Sequence, residues 1–397
     1  MSYLNKLLDG IHVEWGVLGD FADYEQPTKY LVKSNNYNDK YTIPVLTAGK
    51  TFILGYTDEK EGIYKASQNP VIIFDDFTTA NKWVDFDFKA KSSAMKMITS
   101  KDESKALLKY IYYWLNTLPS GLVNGDHKRQ WISNYSNKQI PIPPLEIQKE
   151  IVRILDKFTE LTAELTAELT AELTARKKQY IFYREQFFEF AEVEIQREPL
   201  GVIGEFQRGK RFVKDDMLSE GVPCIHYGEM YTFYGTWANK SKSFLSEELV
   251  ERKNLRIAEN SDVVIVAAGE TIEDIGLGTA WLGDEGVVIH DACFSFRSPL
   301  NSKYVAYFTR TKQFHDQIKK HISSGKISAI NARGLEKVLI PVPSPEEQER
   351  IVTILDKFDI LTTSISEGLP KEIELRKKQY EYYRDLLLTF PKNNLES

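Results

Sequence analysis

IPIPPLEIQKEIVRILDKFTELTAELTAELTAELTARKKQYIFYREQFF, running from Ile140 to Phe188, decides how the rest of the chain is read. Inside it a tetrapeptide recurs, each unit closed by Leu161, Leu165, Leu169 or Leu173. Its flanks return 200 residues later, as IPVPSPEEQERIVTILDKF (Ile340 to Phe358) and RKKQYEYYR (Arg376 to Arg384). The 17 residues between the flanks differ in sequence and agree in length. A repeat at constant offset is the mark of a duplicated structural unit. Leu155, Phe158, Leu161, Leu165, Leu169, Leu173 and Tyr180 are spaced by threes, fours and one seven, the stripe of a coiled-coil helix. About 45 residues at ~1.5 Å each predict a rod of roughly 65–70 Å. A strict four-residue period advances about 40° per unit on a 3.6-residue helix, so the leucine row winds around the axis.

The distal copy carries the stripe through Leu355, Phe358, Leu361, Ile365, Leu369, Ile373 and Tyr380. Gly368 and Pro370 lie inside it. Proline lacks a donor and clashes with the carbonyl four residues back, so a kink or break is expected near 368–370. Each rod must bury its stripe, and the economical partner is the other rod, with the intervening globule turning the chain back. The fold class expected is α+β: two tandem mixed α/β globules and two long helices packed as an antiparallel coiled coil with approximate twofold symmetry. The boundaries are 1–139 for the first globule, 140–192 for the proximal helix and 193–339 for the second globule. The distal helix takes 340–390, and 391–397 is a tail.

Both globules read as mixed α/β. In the first, strands are predicted at Tyr41–Thr47, Val71–Phe74 and Trp83–Phe88, and a helix at Ser104–Leu118. In the second, strands are predicted near Val263–Ala267 and Gly286–His290, and a helix near Lys303–Lys320. LGVIGEF (Leu200–Phe206) echoes WGVLGDF (Trp15–Phe21), so the globules read as diverged copies of one module.

With 397 residues, 27% charged and 42% hydrophobic, the composition is that of a soluble multidomain protein. No apolar run approaches the ~20 residues that cross a bilayer, and the N-terminus lacks the order of a secretory signal. Cys224 and Cys293 form no CxxC pair, which argues against a disulfide scaffold or a cysteine zinc site. A cytoplasmic protein is expected. The net charge of −6 is divided equally between the two helical segments, leaving globules of +1 and −1. Near-neutral globules gripping DNA would need local basic patches and help from a partner, because affinity follows the number of phosphates neutralised.

The order IPIP-P-x-E-x-Q, ILDKF, the TAEL tract, RKKQY-x-x-YR and a second IPVPSPEEQ resembles the specificity subunit of type I restriction–modification enzymes over essentially the whole chain. The resemblance implies that each globule is a target-recognition domain reading one half of a split DNA sequence. It implies that the helices form a spacer whose tetrapeptide count tunes the gap and which docks two adenine methyltransferase subunits. Restriction/translocase subunits complete such complexes. The resemblance implies no catalytic residue and no cofactor in this chain; S-adenosylmethionine belongs to the methyltransferases, and ATP and Mg to the restriction subunits. Half-sites about one turn, roughly 34 Å, apart suit such a protein.

Candidate DNA contacts are the polar and basic loops. In the first globule these are Lys29 and Lys33, the TTANKW segment (Thr78, Thr79, Asn81, Lys82) and the GDHKRQW loop (His127, Lys128, Arg129, Gln130). In the second they are QRGKR (Gln207, Arg208, Lys210, Arg211), Tyr227, the AAGET turn (Gly269, Glu270, Thr271), and Ser324 and Lys326 of SSGKIS. Arginine fits guanine and glutamine fits adenine by bidentate hydrogen bonding, and the glycine of QRGKR is expected to allow close approach to a DNA backbone. For each loop the plain alternative is a solvated surface. Two other function classes remain. Asp76, Asp87 and Lys89 imitate the acidic-x-Lys pattern of metal-dependent nucleases, although Asp-Phe-Asp-Phe-Lys is also a half-buried strand. A coiled-coil adaptor with protein-binding globules is the third. Gly276-Leu-Gly278 lacks the third glycine of a dinucleotide loop, and the six histidines have no ligand spacing.

Overall fold

The computed structural model describes residues 10–49, 51–119, 129–190, 195–323, 325, 327–364 and 367–390. The chain divides into two compact units, Met1–Glu168 with Ile373–Ser397 and Leu169–Glu372. Each unit therefore contains one globule, the near part of one long helix and the far part of the other.

In the first unit, strands β1 (Glu14–Val17), β2 (Ala22–Glu25), β3 (Ile43–Leu46), β4 (Ile53–Thr57), β5 (Val71–Asp75), β6 (Asn81–Val84), β7 (Lys89–Ala90), β8 (Met95–Ser100) and β9 (Gln139–Ile142) form three sheets. Their orders are β2-β8-β5-β6, β4-β3-β7 and β1-β9. VIIFD of β5 is buried on both faces, as an unbroken apolar run in a central strand must be. Trp83–Phe88 does not form one strand. It breaks between β6 and β7, where Asp85 accepts from the Trp83 indole at 3.2 Å and Asp87 is drawn to Ser67 at 2.6 Å. Helix α1 (Leu108–Leu115) is shorter than Ser104–Leu118 because Asp102 captures Ser104 in a local turn. Its buried Ile111, Trp114 and Leu115 pack with Ile72 and Phe74 of β5.

Helix α2 runs without interruption over Leu145–Phe187. Its threonines, the weak helix formers of the tract, return their hydroxyls to the preceding turn, as in Thr159 to Leu155 O at 2.7 Å and Thr174 to Thr170 O at 2.9 Å. The leucine row winds in and out of contact: Leu165, Leu169 and Leu173 are half-buried, whereas Leu161 is 47% exposed, contrary to its expected place in the seam.

The second unit holds strands β10 (Arg197–Pro199), β11 (Glu205–Arg208), β12 (Val222–Ile225), β13 (Trp237–Ala238), β14 (Ser243–Leu245), β15 (Ile257–Ala258), β16 (Val263–Val266), β17 (Ala268–Gly269), β18 (Gly278–Trp281), β19 (Val287–Ile289), β20 (Cys293–Arg297), β21 (Ser328–Ala329) and β22 (Leu339–Pro341). The sheets are β11-β20-β16-β18-β13, β14-β12-β19-β15, β17-β21 and β10-β22. The helix expected at Lys303–Lys320 is two. Helix α3 (Ser302–Phe308) stops where Thr309 Oγ1 accepts from Gly278 N at 2.9 Å, and Thr311 caps a new helix at Phe314 N.

The distal rod is also two helices, α4 (Pro345–Thr363) and α5 (Gly368–Leu388). The break falls just before Gly368, whose φ of +75° and close approach to Ile360 O exclude a side chain. Pro370 sits in the first turn of α5, where its missing donor costs little. Ile365 and Ser366 lie outside the described residues.

In both units the helix foot is clamped by an antiparallel strand pair, β1–β9 ahead of α2 and β10–β22 ahead of α4. Leu155 and Leu355 are fully buried, Tyr180 nearly so, and Phe158, Phe358, Leu361, Leu369, Ile373 and Tyr380 are half-buried. The seam contacts repeat at the sequence offset: Phe158 lies 5.6 Å from Tyr383, and Phe358 lies 5.5 Å from Tyr183. Within the first unit Phe158 meets Tyr383 while Leu165 shares a cavity with Arg376, so the helices run antiparallel. No described helix is long and apolar enough to cross a membrane.

Candidate nucleic-acid interface

The second globule gathers segments far apart in sequence around one cleft. Strand β11 leads into QRGKR, and Gly209 N donates to Cys293 O at 3.0 Å. A Cβ on Gly209 would lie 2.2 Å from His290 O. The glycine thus seats the segment against its own chain, a correction to the expectation that it makes room for DNA. Arg208 Nε donates to Asp291 O at 2.9 Å and Lys210 Nζ to Lys253 O at 3.4 Å. Gln207 and Arg211 are exposed. The AAGET turn leaves β16 as β17 and pairs with β21, the end of SSGKIS. Glu270 and Thr271 are exposed, while Gly269 is buried over the Tyr231 hydroxyl. Ser324 and Lys326 lie outside the described residues.

Arg208, Arg211, Tyr227, Gly269, Glu270 and Ile327 line a shared cavity of about 440 Å³. Its floor joins the expected Tyr227 to a histidine pair that the sequence does not bring together. Parallel pairing of β12 with β19 sets Ile225 opposite Ile289, which brings His226 and His290 to a ring separation of 4.6 Å. Tyr227 lies 4.6 Å from His226. Gly228 N–H donates to His226 Nδ1 at 3.2 Å, so the ring proton of the neutral form sits on Nε2. Burial, reinforced by His290 and Lys214 and opposed by Asp291, holds His226 down to about 4. His290, its Nδ1 3.0 Å from the Asp291 carboxylate, is also lowered, by burial first. The result is an uncharged aromatic and imidazole floor rimmed by Arg208, Arg211 and Lys214, with Glu270 and Asp291 as acceptors. Cations of this kind grip phosphates, and imidazole N–H, guanidinium and carboxylate groups read base edges.

The first globule brings its two equivalent loops together in the same way. Gln130 N donates to Asp76 O and Trp131 N to Asp76 Oδ1, both at 2.8 Å, docking the end of GDHKRQW on the turn after β5. Asp75 holds that turn by accepting from Phe77 N, Thr78 N and Thr78 Oγ1. Three expected contacts are structural instead. Thr79 is buried at φ +61°; Gln130 is buried and accepts from Asn134 Nδ2 at 3.2 Å; Asn81 accepts from Asn116 Nδ2 at 2.9 Å. Thr78, Lys82 and Arg129 remain displayed, and His127 and Lys128 lie outside the described residues. Lys29 and Lys33 are exposed but pair with Glu25 at 2.9 Å and Glu61 at 3.4 Å.

The nuclease trio is dispersed among separate partners. Asp76 faces buried Lys96 at 3.5 Å, Asp87 holds Lys65 and Ser67, and buried Lys89 pairs with Glu59 at 2.8 Å. Among the described residues no three His, Cys, Asp or Glu side chains gather as metal ligands.

A family model described as the type I restriction modification DNA specificity domain matches residues 12–175 and 192–375, one match for each copy. The chain belongs to that family. It is 53% identical to a type I restriction enzyme specificity subunit from Escherichia coli, over 99% of this chain and 98% of the relative. It is 32% identical to a putative type I specificity subunit from Haemophilus influenzae, over 98% of both. A similar fold is seen in a solved chain described under complex assembly and conformational transition of the type I R-M system (TM-score 0.64, 16% identity, covering 96% of this chain and 98% of that one). The HsdS subunit from Thermoanaerobacter tengcongensis gives a TM-score of 0.50 at 16% identity, with 95% of each chain covered.

Proposed function

We propose that this specificity-family chain is the non-catalytic DNA reader of a type I assembly, each globule reading one half of a split target. The observation that carries this reading is the convergence of Arg208, Arg211, Tyr227 and Glu270, from separate segments, on one cation-rimmed cleft. Thr78, Lys82 and Arg129 are the matching displayed groups of the first globule, with Gln207, Lys210 and Thr271 flanking the second cleft. The spacer helices set the gap and dock two methyltransferase subunits, which supply S-adenosylmethionine. Restriction/translocase subunits supply ATP and Mg chemistry, and the complex works on double-stranded DNA in the cytoplasm.

Mapping methylated adenines in cells that hold this chain with its methyltransferase tests the reading. One split motif is expected; an unsplit motif overturns it. Deleting Thr166–Leu169 removes about 6 Å of helix, so with the rod inclined to the DNA the gap is expected to shorten by about one to two base pairs with both half-sites unchanged.

A further inference from the structure

The two heads meet their helices through the same set of side chains, drawn from a repeat that the 200-residue offset hides. Lys109-Tyr110-x-x-Tyr113 in α1 recurs as Lys303-Tyr304-x-x-Tyr307 in α3, 194 residues on. Tyr113 OH donates to Asp156 Oδ1, and Tyr307 OH to Asp356 Oδ1 at 2.7 Å. Lys109 pairs with Asp156 at 3.3 Å and Lys303 with Asp356 at 2.7 Å. Each lysine also lies 4.2 Å from an indole of its own head, Trp83 in one and Trp237 in the other. Nearer the helix foot, Tyr110 OH donates to Pro141 O at 2.8 Å and Tyr304 OH to Pro341 O at 3.0 Å. Gln148 accepts from Leu107 N at 3.0 Å, as Gln348 accepts from Asn301 N at 2.9 Å.

We propose that Asp156 and Asp356, each held by a tyrosine and a lysine of its head, are matching latches that fix the angle between head and spacer helix. They act as positioning residues for gap selection. The proposal rests on the split-target reading above. The strand clamp and the glutamine attach each head near the helix foot, and the apolar packing beyond them, of Ile151 and Leu155 or Ile351 and Leu355, is not directional. The aspartate lies eight residues beyond the glutamine, about 12 Å along the axis, and supplies the second point. With that lever, a rotation of roughly 15° displaces a group by about 3 Å, one base-pair step. Among the described residues the aspartates bond none of the cleft lining. Both tyrosines are buried, so their hydroxyls require an acceptor. An ionised acceptor shared by a phenol and an ammonium is the strong, directional kind.

The test is the adenine methylome of cells carrying the assembled methyltransferase with Asp156→Ala, Asp356→Ala or Tyr307→Phe. Each variant is expected to raise methylation at gaps one base pair shorter or longer by about tenfold relative to the proper gap, with half-sites unaltered. Asp356→Glu is expected to restore the proper ratio. A purely structural role would lower methylation at every gap alike, and that result, or an off-gap ratio within about twofold of wild type at normal complex yield, overturns the proposal. An unsplit wild-type motif would instead be failure of the functional reading. The latch then stands or falls on spin labels at Lys60→Cys and Ala163→Cys in the first unit. Their distance distribution broadens on Asp156→Ala or Tyr113→Phe if the latch holds the head, and an unchanged width rejects it.

Discussion

Where a spacer helix meets both its head and the returning helix, the two units fill the same place with different chemistry. In the first, exposed Thr159 Oγ1 lies 3.1 Å from Tyr380 OH, and Asn116, three residues after the latch tyrosine, bonds Asn81. A cavity of about 190 Å³ lies beside them, lined by Phe158, Leu161, Thr162, Leu165, Tyr380 and Tyr383. In the second, the corresponding residues are Asp359, buried Tyr180 and Arg310. Arg310 Nη2 donates to Gly235 O at 2.9 Å and Gly278 O at 3.0 Å, and burial raises the Asp359 carboxyl while Arg310 and Thr363 draw it down. The latches were kept alike and the filling between them was not. Latch geometry sets where a head sits; the filling sets how firmly each unit is closed.

The sharpest break of that comparison is Arg310→Met. It deprives two carbonyls of their donor and leaves Asp359 without a cation, so the second unit is expected to loosen by about 2–3 kcal/mol. Asn116→Leu in the first unit removes two neutral hydrogen bonds, to Asn81 Oδ1 and Tyr112 O, at a wetter site and is expected to cost about 1 kcal/mol. Hydrogen-exchange protection of α3 and α1 measures the two separately, and equal losses would erase the distinction.

Acid separates the units next. His226 has a folded-state pKa of about 4 against an ordinary 6.5, so the folded second unit binds fewer protons than its unfolded chain. Its contribution is complete above pH 6.5 and is lost as pH falls toward 4. Between pH 7 and pH 5 this amounts to about 2 kcal/mol. Asp359 acts with the opposite sign, its raised carboxyl favouring the folded state as pH falls. His226→Gln isolates its share and should reduce the pH dependence of protection in the second unit, leaving the part that His290 and His315, also lowered by burial, contribute. The described part of the first unit has only exposed His12 and should lack this source of acid sensitivity.

Those residues also mark what was legible in the sequence. The repeated flanks, the long α2 helix and the buried strands β5 and β16 follow from local period and composition. So do the loops that meet at each head, since polar loops bracketing a strand are local features. The pairing of His226 with His290 is not local: it depends on the parallel register of β12 on β19. The Lys-Tyr-x-x-Tyr repeat escaped because the heads differ in length, which shifts it from 200 to 194 residues while the helices keep register. Gln130 and Thr79 looked like surface polar residues because their burial is imposed by Asp76 and Asp75, whose backbone or carboxylate contacts only the folded turn reveals.

The smallest effect tests the packing difference directly. Thr162 and Thr362 are equivalent by the repeat, yet Thr162 lines the cavity and Thr362 is 1% exposed, its hydroxyl donating to Phe358 O at 2.8 Å. Thr162→Ile replaces a hydroxyl with an ethyl group that extends into existing space, and at about 0.8 kcal/mol per buried methylene it should stabilise the first unit by roughly 0.5–1 kcal/mol. Thr362→Ile puts the same ethyl group where no space remains and removes the hydroxyl that donates to Phe358 O, and should cost the second unit about 1 kcal/mol. Opposite signs, read as local exchange protection around Phe158 and Phe358, would establish that duplication preserved the helical frame while its filling diverged. The same sign at both positions would mean that the cavity closes in solution and that the two seams are packed alike.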